Sequence, residues 1–259
     1  MNVAFKVYYF SGTGNSLHVA RSIAGEIGGK TVNMAGLMDQ AEVTDDSDSI
    51  GFVFPVYFSE IPDNVRSFVR KVRLTGKPYV FAVATCGMMP GNALFSLGRE
   101  LKEKGIELSA GFSLVMPDNA YVKMNFITPP EQRDAMLRAS ETKLSAIIKH
   151  LSVKEKTGIE GKKSLSAKAM CLAMKTMSRG MHRQFRATDK CTGCGTCKNI
   201  CPTGNIRVDG KKVTWGDHCD LCLACFHWCP AQSVQIGGKT ENIVRYHHPM
   251  VTVRDMAGR

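Results

Sequence analysis

Eight cysteines arranged as a repeat limit the fold of this chain more than any other feature of its sequence. The spacing Cys-x-x-Cys-x-x-Cys-x-x-x-Cys-Pro occurs twice, and the second copy follows the first by 28 residues. The eight positions are Cys191, Cys194, Cys197 and Cys201 in the first copy, and Cys219, Cys222, Cys225 and Cys229 in the second. A repeat of this kind predicts a duplicated metal-binding unit rather than eight independent thiols.

The spacing favours iron-sulfur cubes over other uses of cysteine. Three cysteines at two-residue intervals let a tight loop reach three irons of one [4Fe-4S] cluster, while the fourth cysteine reaches the other cluster. The predicted ligand sets are Cys191, Cys194, Cys197 and Cys229 for the first cluster, and Cys219, Cys222, Cys225 and Cys201 for the second. The alternatives are two structural zinc sites, for which paired knuckles separated by longer loops are typical, and disulfides, which suit small secreted proteins.

This segment resembles the bacterial two-cluster ferredoxins over about residues 188–237. The resemblance implies a small α+β domain that carries two [4Fe-4S] clusters and transfers single electrons, at low potential. The two copies differ, because the second has Leu221 and Leu223 where the first has glycines. These changes alter hydration of the sulfurs, so the clusters are expected to differ in reduction potential. His227 is expected to be a surface residue and not a ligand.

The first 150 residues predict an α/β domain. Apolar runs at residues 3–10, 50–54, 79–84 and 111–116 alternate with segments in which apolar residues recur at helical spacing. This alternation is typical of a parallel sheet covered by helices on both faces.

A short polar loop follows the first predicted strand and leads directly into a helix. Its residues are Ser11, Gly12, Thr13, Gly14, Asn15 and Ser16. Backbone N–H groups and hydroxyls at a helix N-terminus bind anions. The loop lacks the Gly-Lys-Ser/Thr ending of a Walker loop and the third glycine of the dinucleotide fingerprint. It therefore suits a terminal phosphate monoester, with a plain glycine-rich turn as the alternative.

The loop resembles the phosphate-binding loop of flavodoxins, and the likeness extends over about residues 1–152. It implies a doubly wound, parallel five-stranded sheet that binds flavin mononucleotide (FMN). Two further loops would then enclose the flavin ring, and their residues are Pro55, Val56 and Tyr57 in one, and Thr85, Cys86 and Gly87 in the other. Tyr57 is the candidate for stacking on the ring, with an ordinary core aromatic as the alternative. Asn119 and Tyr121 are also expected to line the site, whereas Trp215 and Trp228 lie outside this domain.

The composition predicts four segments: a flavodoxin-like domain at 1–153, a basic connector at 154–187, a ferredoxin domain at 188–238 and a tail at 239–259. Within the connector Met170, Met174, Met177 and Met181 recur at helical spacing. Such a stripe is expected to pack against the chain's own domains, with a partner-binding or membrane-surface role as the alternative. The tail is expected to fold back across the flavodoxin-like domain.

Charge and hydropathy limit the partners. The formal net charge of +11 falls to roughly +5 once two clusters and a flavin phosphate are counted, so no nucleic-acid partner is expected. No apolar run reaches about 18 residues, so membrane insertion is not expected. The N-terminus does not resemble a secretory leader, which favours a cytoplasmic protein.

The chain as a whole resembles the flavodoxin/ferredoxin-fusion proteins of anaerobic bacteria and archaea. The resemblance implies an electron relay between FMN, two [4Fe-4S] clusters and redox-partner proteins. The alternatives are an FMN-dependent reductase that passes cluster electrons to a small substrate, and a redox sensor that binds nucleic acid or an acidic membrane through the basic connector.

Overall fold

The computed structural model describes residues 5–122, 124–238 and 240–257. The strands up to residue 160 are β1 (Phe5–Tyr9), β2 (Lys30–Asn33), β3 (Val43–Asp45), β4 (Ser49–Pro55), β5 (Val72–Leu74), β6 (Tyr79–Cys86), β7 (Ala110–Val115), β8 (Tyr121–Val122), β9 (Met124–Asn125) and β10 (Gly158–Ile159). The helices of the same region are α1 (Asn15–Ile27), α2 (Asp63–Lys71), α3 (Ala93–Lys102) and α4 (Pro130–Ser152), with a 3-10 helix at Met34–Leu37.

Six strands form one parallel sheet in the order β2-β1-β4-β6-β7-β10. Every residue of β6 is buried, and in β4 all but Pro55 are buried, so side chains on both faces of the sheet are covered. The sequence prediction of a doubly wound, flavodoxin-like α/β fold is confirmed. The parallel arrangement places the carboxyl ends of β1, β4, β6 and β7 at one edge of the sheet, where the candidate site lies.

The expected count of five strands is wrong by one. The sixth strand, β10, lies within the predicted connector and pairs with Ala110 and Gly111 of β7. It consists of two residues, Gly158 and Ile159, which is too short to show an alternating pattern. A Cβ on Gly111 would lie 3.5 Å from Ile159, which is ordinary van der Waals contact, so β10 packs directly over this part of β7.

The remaining elements build a second, smaller unit and its attachments. They are α5 (Leu165–Met177), a 3-10 helix at Met181–Gln184, β11 (Phe185–Ala187), α6 (Thr196–Asn199), β12 (Ile206–Asp209), β13 (Lys212–Trp215), α7 (Ala224–His227), β14 (Val234–Ile236) and α8 (Val253–Ala257). β11 pairs with β14, and β12 pairs with β13, both antiparallel. The small unit therefore begins with β11, before the first cysteine of the repeat.

The two units share their apolar cores. Trp228 and Ile200 of the small unit are buried in the core of the α/β domain. Conversely, Tyr121 and Ile127 of the α/β domain are buried in the core of the small unit, beside Phe226. This mutual burial fixes one unit against the other.

The methionine stripe of the connector does not pack as a single face. Met181 is buried and Met174 is partly buried, but Met170 and Met177 are 43% and 44% exposed. The contact of α5 with the body is centred on Ala167 and Cys171 instead, and Met181 belongs to the 3-10 helix that follows. No helix within the described residues is both long and apolar enough to cross a membrane.

We expect Glu100→Gln to lower the free energy of unfolding by about 2 kcal/mol at neutral pH. The buried Glu100 carboxylate accepts hydrogen bonds from Arg66 and from Arg70, the latter at 2.8 Å. Burial alone would raise the pKa of Glu100, but the two arginines outweigh it and the pKa lies below its ordinary value. The stabilisation is therefore present above about pH 4.3 and is lost as the pH falls through the lowered pKa.

Chemical denaturation at pH 7 and at pH 3 measures this effect. The exposed Glu107→Gln is the matched control and should shift stability by less than about 0.5 kcal/mol. A Glu100→Gln deficit that is equally large at pH 3 would show that the carboxylate charge is not its source.

Candidate cofactor sites

The polar loop after β1 forms an anion-binding turn at the N-terminus of α1. Gly14 adopts a left-handed conformation with φ 98°, and its N–H donates to Ser11 Oγ at 3.1 Å. The first turn of α1 contains no acidic residue, and its leading N–H groups have no partner within the helix. These donors lie at the positive end of the helix dipole, which is the arrangement that binds a phosphate.

Side chains of the loop are tied to the neighbouring strand ends. Ser16 Oγ and Thr85 Oγ1 are 2.8 Å apart, and Asn15 Nδ2 donates to the Pro117 carbonyl at 3.0 Å. Asn119 Nδ2 donates to Thr13 Oγ1. The loop is thus held against the segments that follow β6 and β7.

One cavity collects nearly all of the predicted flavin-site residues. Those that line it are Ser11, Gly12, Thr13, Asn15, Ser16, Pro55, Val56, Tyr57, Thr85, Cys86 and Gly87, joined by Pro117, Asp118 and Asn119. Gly14 supplies the turn but does not line the cavity. Tyr121, which was also expected here, is buried in the core of the small unit instead.

Sequence reasoning missed Pro117 and Asp118. They follow β7, and the carboxyl ends of neighbouring parallel strands meet at the same edge, so their position after a strand was the available signal. A Cβ on Gly87 would lie 2.1 Å from Asp118 Oδ2, so only glycine fits beside this carboxylate. Burial raises the pKa of Asp118 above its ordinary value.

Tyr57 presents a buried hydroxyl between this cavity and the small unit. Within the described residues its Oη has no hydrogen-bond partner, and burial raises the pKa of Tyr57 well above its ordinary value. The residue sits at a tight turn in which Phe58 and Ser59 have positive φ values of 51° and 61°. The unpartnered buried hydroxyl and the phosphate turn fit a flavin nucleotide.

The eight cysteines of the repeat surround two cavities. One is lined by Cys191, Cys194, Cys197 and Cys229, and the other by Cys201, Cys219, Cys222 and Cys225. The structure therefore brings together the two interleaved sets that the sequence predicts. A donor set of four thiols around each cavity fits an iron-sulfur cube.

Backbone N–H groups point at several of the sulfurs. Asn205 N donates to Cys201 Sγ at 3.4 Å, and Ser233 N donates to Cys229 Sγ at 3.2 Å. Burial raises the pKa of Cys197 to about 11. Since metal ligation requires thiolates, filling the cavities must release protons, and the N–H···S bonds help to hold the charge that results.

The two cysteine loops share one backbone shape but differ in side chains. Gly193 and Gly195 have φ values of 73° and 74°, and the equivalent Leu221 and Leu223 adopt φ values of 53° and 58°. Leucine is strained in this left-handed region. The Leu223 side chain is buried in the core of the small unit. It therefore screens the second cavity from water more completely than a glycine screens the first.

The second cysteine cavity adjoins the flavin-type cavity. A Cβ on Gly12 would lie 2.6 Å from the Cys222 carbonyl oxygen, and Trp228 Nε1 donates to the Gly12 carbonyl at 3.0 Å. The small unit thus brings a tryptophan to the phosphate loop, although neither tryptophan belongs to the α/β domain. In contrast Cys194, in the first cavity, is exposed.

His227 belongs to the same contact. It is only 2% exposed, so its expected surface position is wrong. Its Nδ1 accepts from the Tyr246 N–H at 3.1 Å, and its Nε2 lies 2.8 Å from the Asn119 carbonyl. With Nδ1 as acceptor the ring carries its proton on Nε2 and donates it to that carbonyl. His227 therefore acts as a structural link between α7, the tail and the flavin-type cavity.

The C-terminal tail lies across the back of the phosphate loop. His248 N donates to the Thr13 carbonyl at 2.8 Å, and Tyr246 Oη donates to Asn15 Oδ1 at 2.6 Å. Val251 fills the space beside Gly14, where a Cβ would approach it to 3.0 Å. The turn is therefore supported from both sides, by the tail and by the small unit.

Family models match part of each unit. A family model described as a flavodoxin domain matches residues 6–127, and one described as a 4Fe-4S binding domain matches residues 187–207. The first implies FMN and the second implies a [4Fe-4S] cluster. No curated protein matches the chain.

Several solved structures resemble the α/β domain at low identity. Two-electron reduced flavodoxin from Megasphaera elsdenii is 20% identical, with 45% of this chain and 90% of that chain aligned and a TM-score of 0.33. Rubredoxin oxygen:oxidoreductase from Desulfovibrio gigas is 15% identical, with 58% and 36% aligned and a TM-score of 0.38. The Trp repressor binding protein of Bacillus subtilis is 11% identical, with 57% and 96% aligned and a TM-score of 0.35.

Proposed function

The chain joins a flavodoxin domain to a 4Fe-4S binding domain, and we propose that it relays electrons between FMN and two [4Fe-4S] clusters and onward to redox-partner proteins. In this proposal residues 1–153 hold the FMN, residues 188–238 hold both clusters, and 154–187 and 239–259 connect and brace them. Flavin exchanges electrons singly or in pairs and the clusters exchange them singly, so one chain would link the two kinds of partner.

The observation that carries the proposal is the contact between Gly12 and Cys222. Gly12 belongs to the phosphate loop and Cys222 to the second cysteine set, and no other residue separates them. The Trp228 indole bridges the same two units through its hydrogen bond to Gly12. In this proposal the binding residues of the two redox centres would be packed against each other inside one protein core, where water is excluded.

The difference in burial among the cysteines implies an order of the cofactors in the proposed relay. Cys222 is 9% exposed and is buried in the core of the α/β domain, whereas Cys194 is exposed. The second cluster would thus lie between the FMN and the first cluster, and the first would exchange electrons at the surface. Lys190 and Lys198 are exposed close to Cys194 in sequence, which suits docking of an acidic partner.

The Tyr57 side chain and the Asp118 carboxyl define what the chain itself contributes at the flavin. Tyr57 would close the cavity on the side of the second cluster, and its buried hydroxyl could donate to a ring atom. Asp118, with its pKa raised by burial, would hold a proton beside Gly87 more readily than an exposed carboxyl. The phosphate turn would anchor the other end of the nucleotide.

Anaerobic purification and cofactor counting test the proposal. We expect about eight irons, about eight sulfides and about one FMN per chain, and reduction of the flavin should be followed by reduction of the clusters. Zinc in place of iron would reject the clusters, and protein with full iron that neither retains nor binds added FMN would reject the flavin. Full cofactor content without electron exchange between them would reject the relay.

A further inference from the structure

Helix α5 exposes an apolar face that nothing in the described structure covers. Ten of its thirteen residues are exposed. Leu165 and Leu172 are 87% and 70% exposed, and Met170 and Met177 are 43% and 44% exposed. Isolated apolar residues are common on protein surfaces, but two strongly exposed leucines with two half-exposed methionines further round the same short helix require an explanation.

The body of the protein fixes the direction in which this face points. Only Ala167 and Cys171 of α5 are buried against the body. The start of the helix is held by Asn92, whose side chain makes two hydrogen bonds of 2.9 Å to the backbone of Ser164. Near its end Lys175 forms an ion pair with Asp63 at 3.2 Å.

Helical geometry places the leucines on the outer side. Leu165 and Leu172 are seven residues apart and therefore share a stripe, which lies roughly opposite the buried Ala167 and Cys171. Ala169 lies on the same stripe and is also exposed. The outward side of α5 is thus apolar from Leu165 to Leu172 and ends at the exposed Thr176, while the helix as a whole stays attached to the protein.

The segment that carries this face is basic, although Asp63 pairs with Lys175 near the end of α5, and Glu60 and Glu107 line the cavity beside its start. From Gly161 to Thr188 the chain contains no aspartate or glutamate. The basic residues of this stretch are Lys162, Lys163, Lys168, Lys175, Arg179, Arg183 and Arg186. Lys162, Lys163 and Lys168 are exposed at the N-terminal end of α5. An apolar stripe bordered by cations is complementary to a binding partner whose surface is apolar inside and negatively charged outside.

We propose that α5 docks this protein on an anionic lipid bilayer, with Leu165 and Leu172 in the acyl boundary and the lysines at the headgroups. With thirteen residues α5 is about 20 Å long, too short to span a bilayer, so the helix would lie in the plane of the interface. A protein partner is less well matched, because the face lacks the tryptophan, tyrosine and arginine residues that anchor protein interfaces. The proposal does not depend on the electron relay.

Vesicle flotation of the full-length, anaerobically purified holoprotein tests the docking. We expect binding to vesicles of equal parts phosphatidylglycerol and phosphatidylcholine, and little binding to pure phosphatidylcholine. Leu165→Gln with Leu172→Gln should weaken binding to the anionic vesicles roughly tenfold or more. Lys162→Glu with Lys168→Glu should have a comparable effect that raised salt reproduces in the wild type.

Matched controls separate docking from folding. Val153 and Val244 are 71% and 54% exposed elsewhere on the surface, so Val153→Gln with Val244→Gln should bind vesicles as the wild type does. Far-UV circular dichroism and cofactor content should be the same for all variants. The proposal is overturned if the wild type ignores anionic vesicles or binds both kinds equally. It is also overturned if the leucine variant binds as the wild type does, or if that variant instead loses self-association on size exclusion.

Discussion

Replacing Cys201 and Cys194 together should remove nearly all iron from the protein, although both cysteines belong to the first copy of the repeat. In the structure Cys194 lines one cavity and Cys201 lines the other. Each single change to alanine should lower the iron content from about eight to about four, and the double variant should hold almost none. If each copy of the repeat held its own cluster, the double variant would still contain about four irons.

A second pair of changes provides the reciprocal test. Cys201→Ala with Cys222→Ala removes two ligands of the same cavity, so about four irons should remain. Electron exchange between FMN and the remaining cluster should then be lost, because the missing cluster lies between them. Cys171→Ala is the control. Cys171 is a buried residue of α5 and lines neither cavity. A Cys201 and Cys222 variant without iron would contradict the interleaved assignment.

Gly12→Ala should separate the two units at their point of contact. The added methyl would meet the Cys222 carbonyl at 2.6 Å and Tyr57 Oη at 3.1 Å. Because the first obstacle is backbone, the units must move apart, at a cost of about 1–3 kcal/mol in stability. FMN should be released more readily, and electron exchange between flavin and clusters should be slowed, while the iron content stays unchanged.

Gly25→Ala is the matched control for this change. Gly25 lies in the same helix-and-loop segment, within α1, and a Cβ there would meet no atom within 4 Å. Alanine in a helix interior should stabilise the protein by about 0.5–1 kcal/mol and leave flavin retention unaltered. Thermal unfolding together with the flavin content of the gel-filtered protein measures both effects. A Gly12→Ala protein that equals the Gly25→Ala protein in both would show that the contact is not tight.

Local spacing explains why much of both sites could be predicted. The cysteine loops and the phosphate turn are each built by residues close together in sequence, so their geometry follows from residue type and separation. The parallel α/β fold follows from alternating apolar runs, and the positions of Tyr57 and Thr85 follow from strand order. These features require no knowledge of how one unit meets the other.

Long-range contacts explain what the sequence did not predict. Trp228 and His227 look like ordinary members of a cysteine loop, and only the docking of the units places them against Gly12 and Asn119. β10 is too short to have a pattern of its own and exists because β7 offers an open edge. The exposed face of α5 was likewise hidden, because its methionine spacing is equally compatible with burial.

The position of the tail imposes an order on how the protein matures after synthesis. Tyr246 and His248 hold the phosphate loop from behind, and Cys222 and Trp228 press on it from the side. All strands of the sheet are therefore synthesised well before the residues that complete the nucleotide pocket. The last residues of the chain complete the support of this turn.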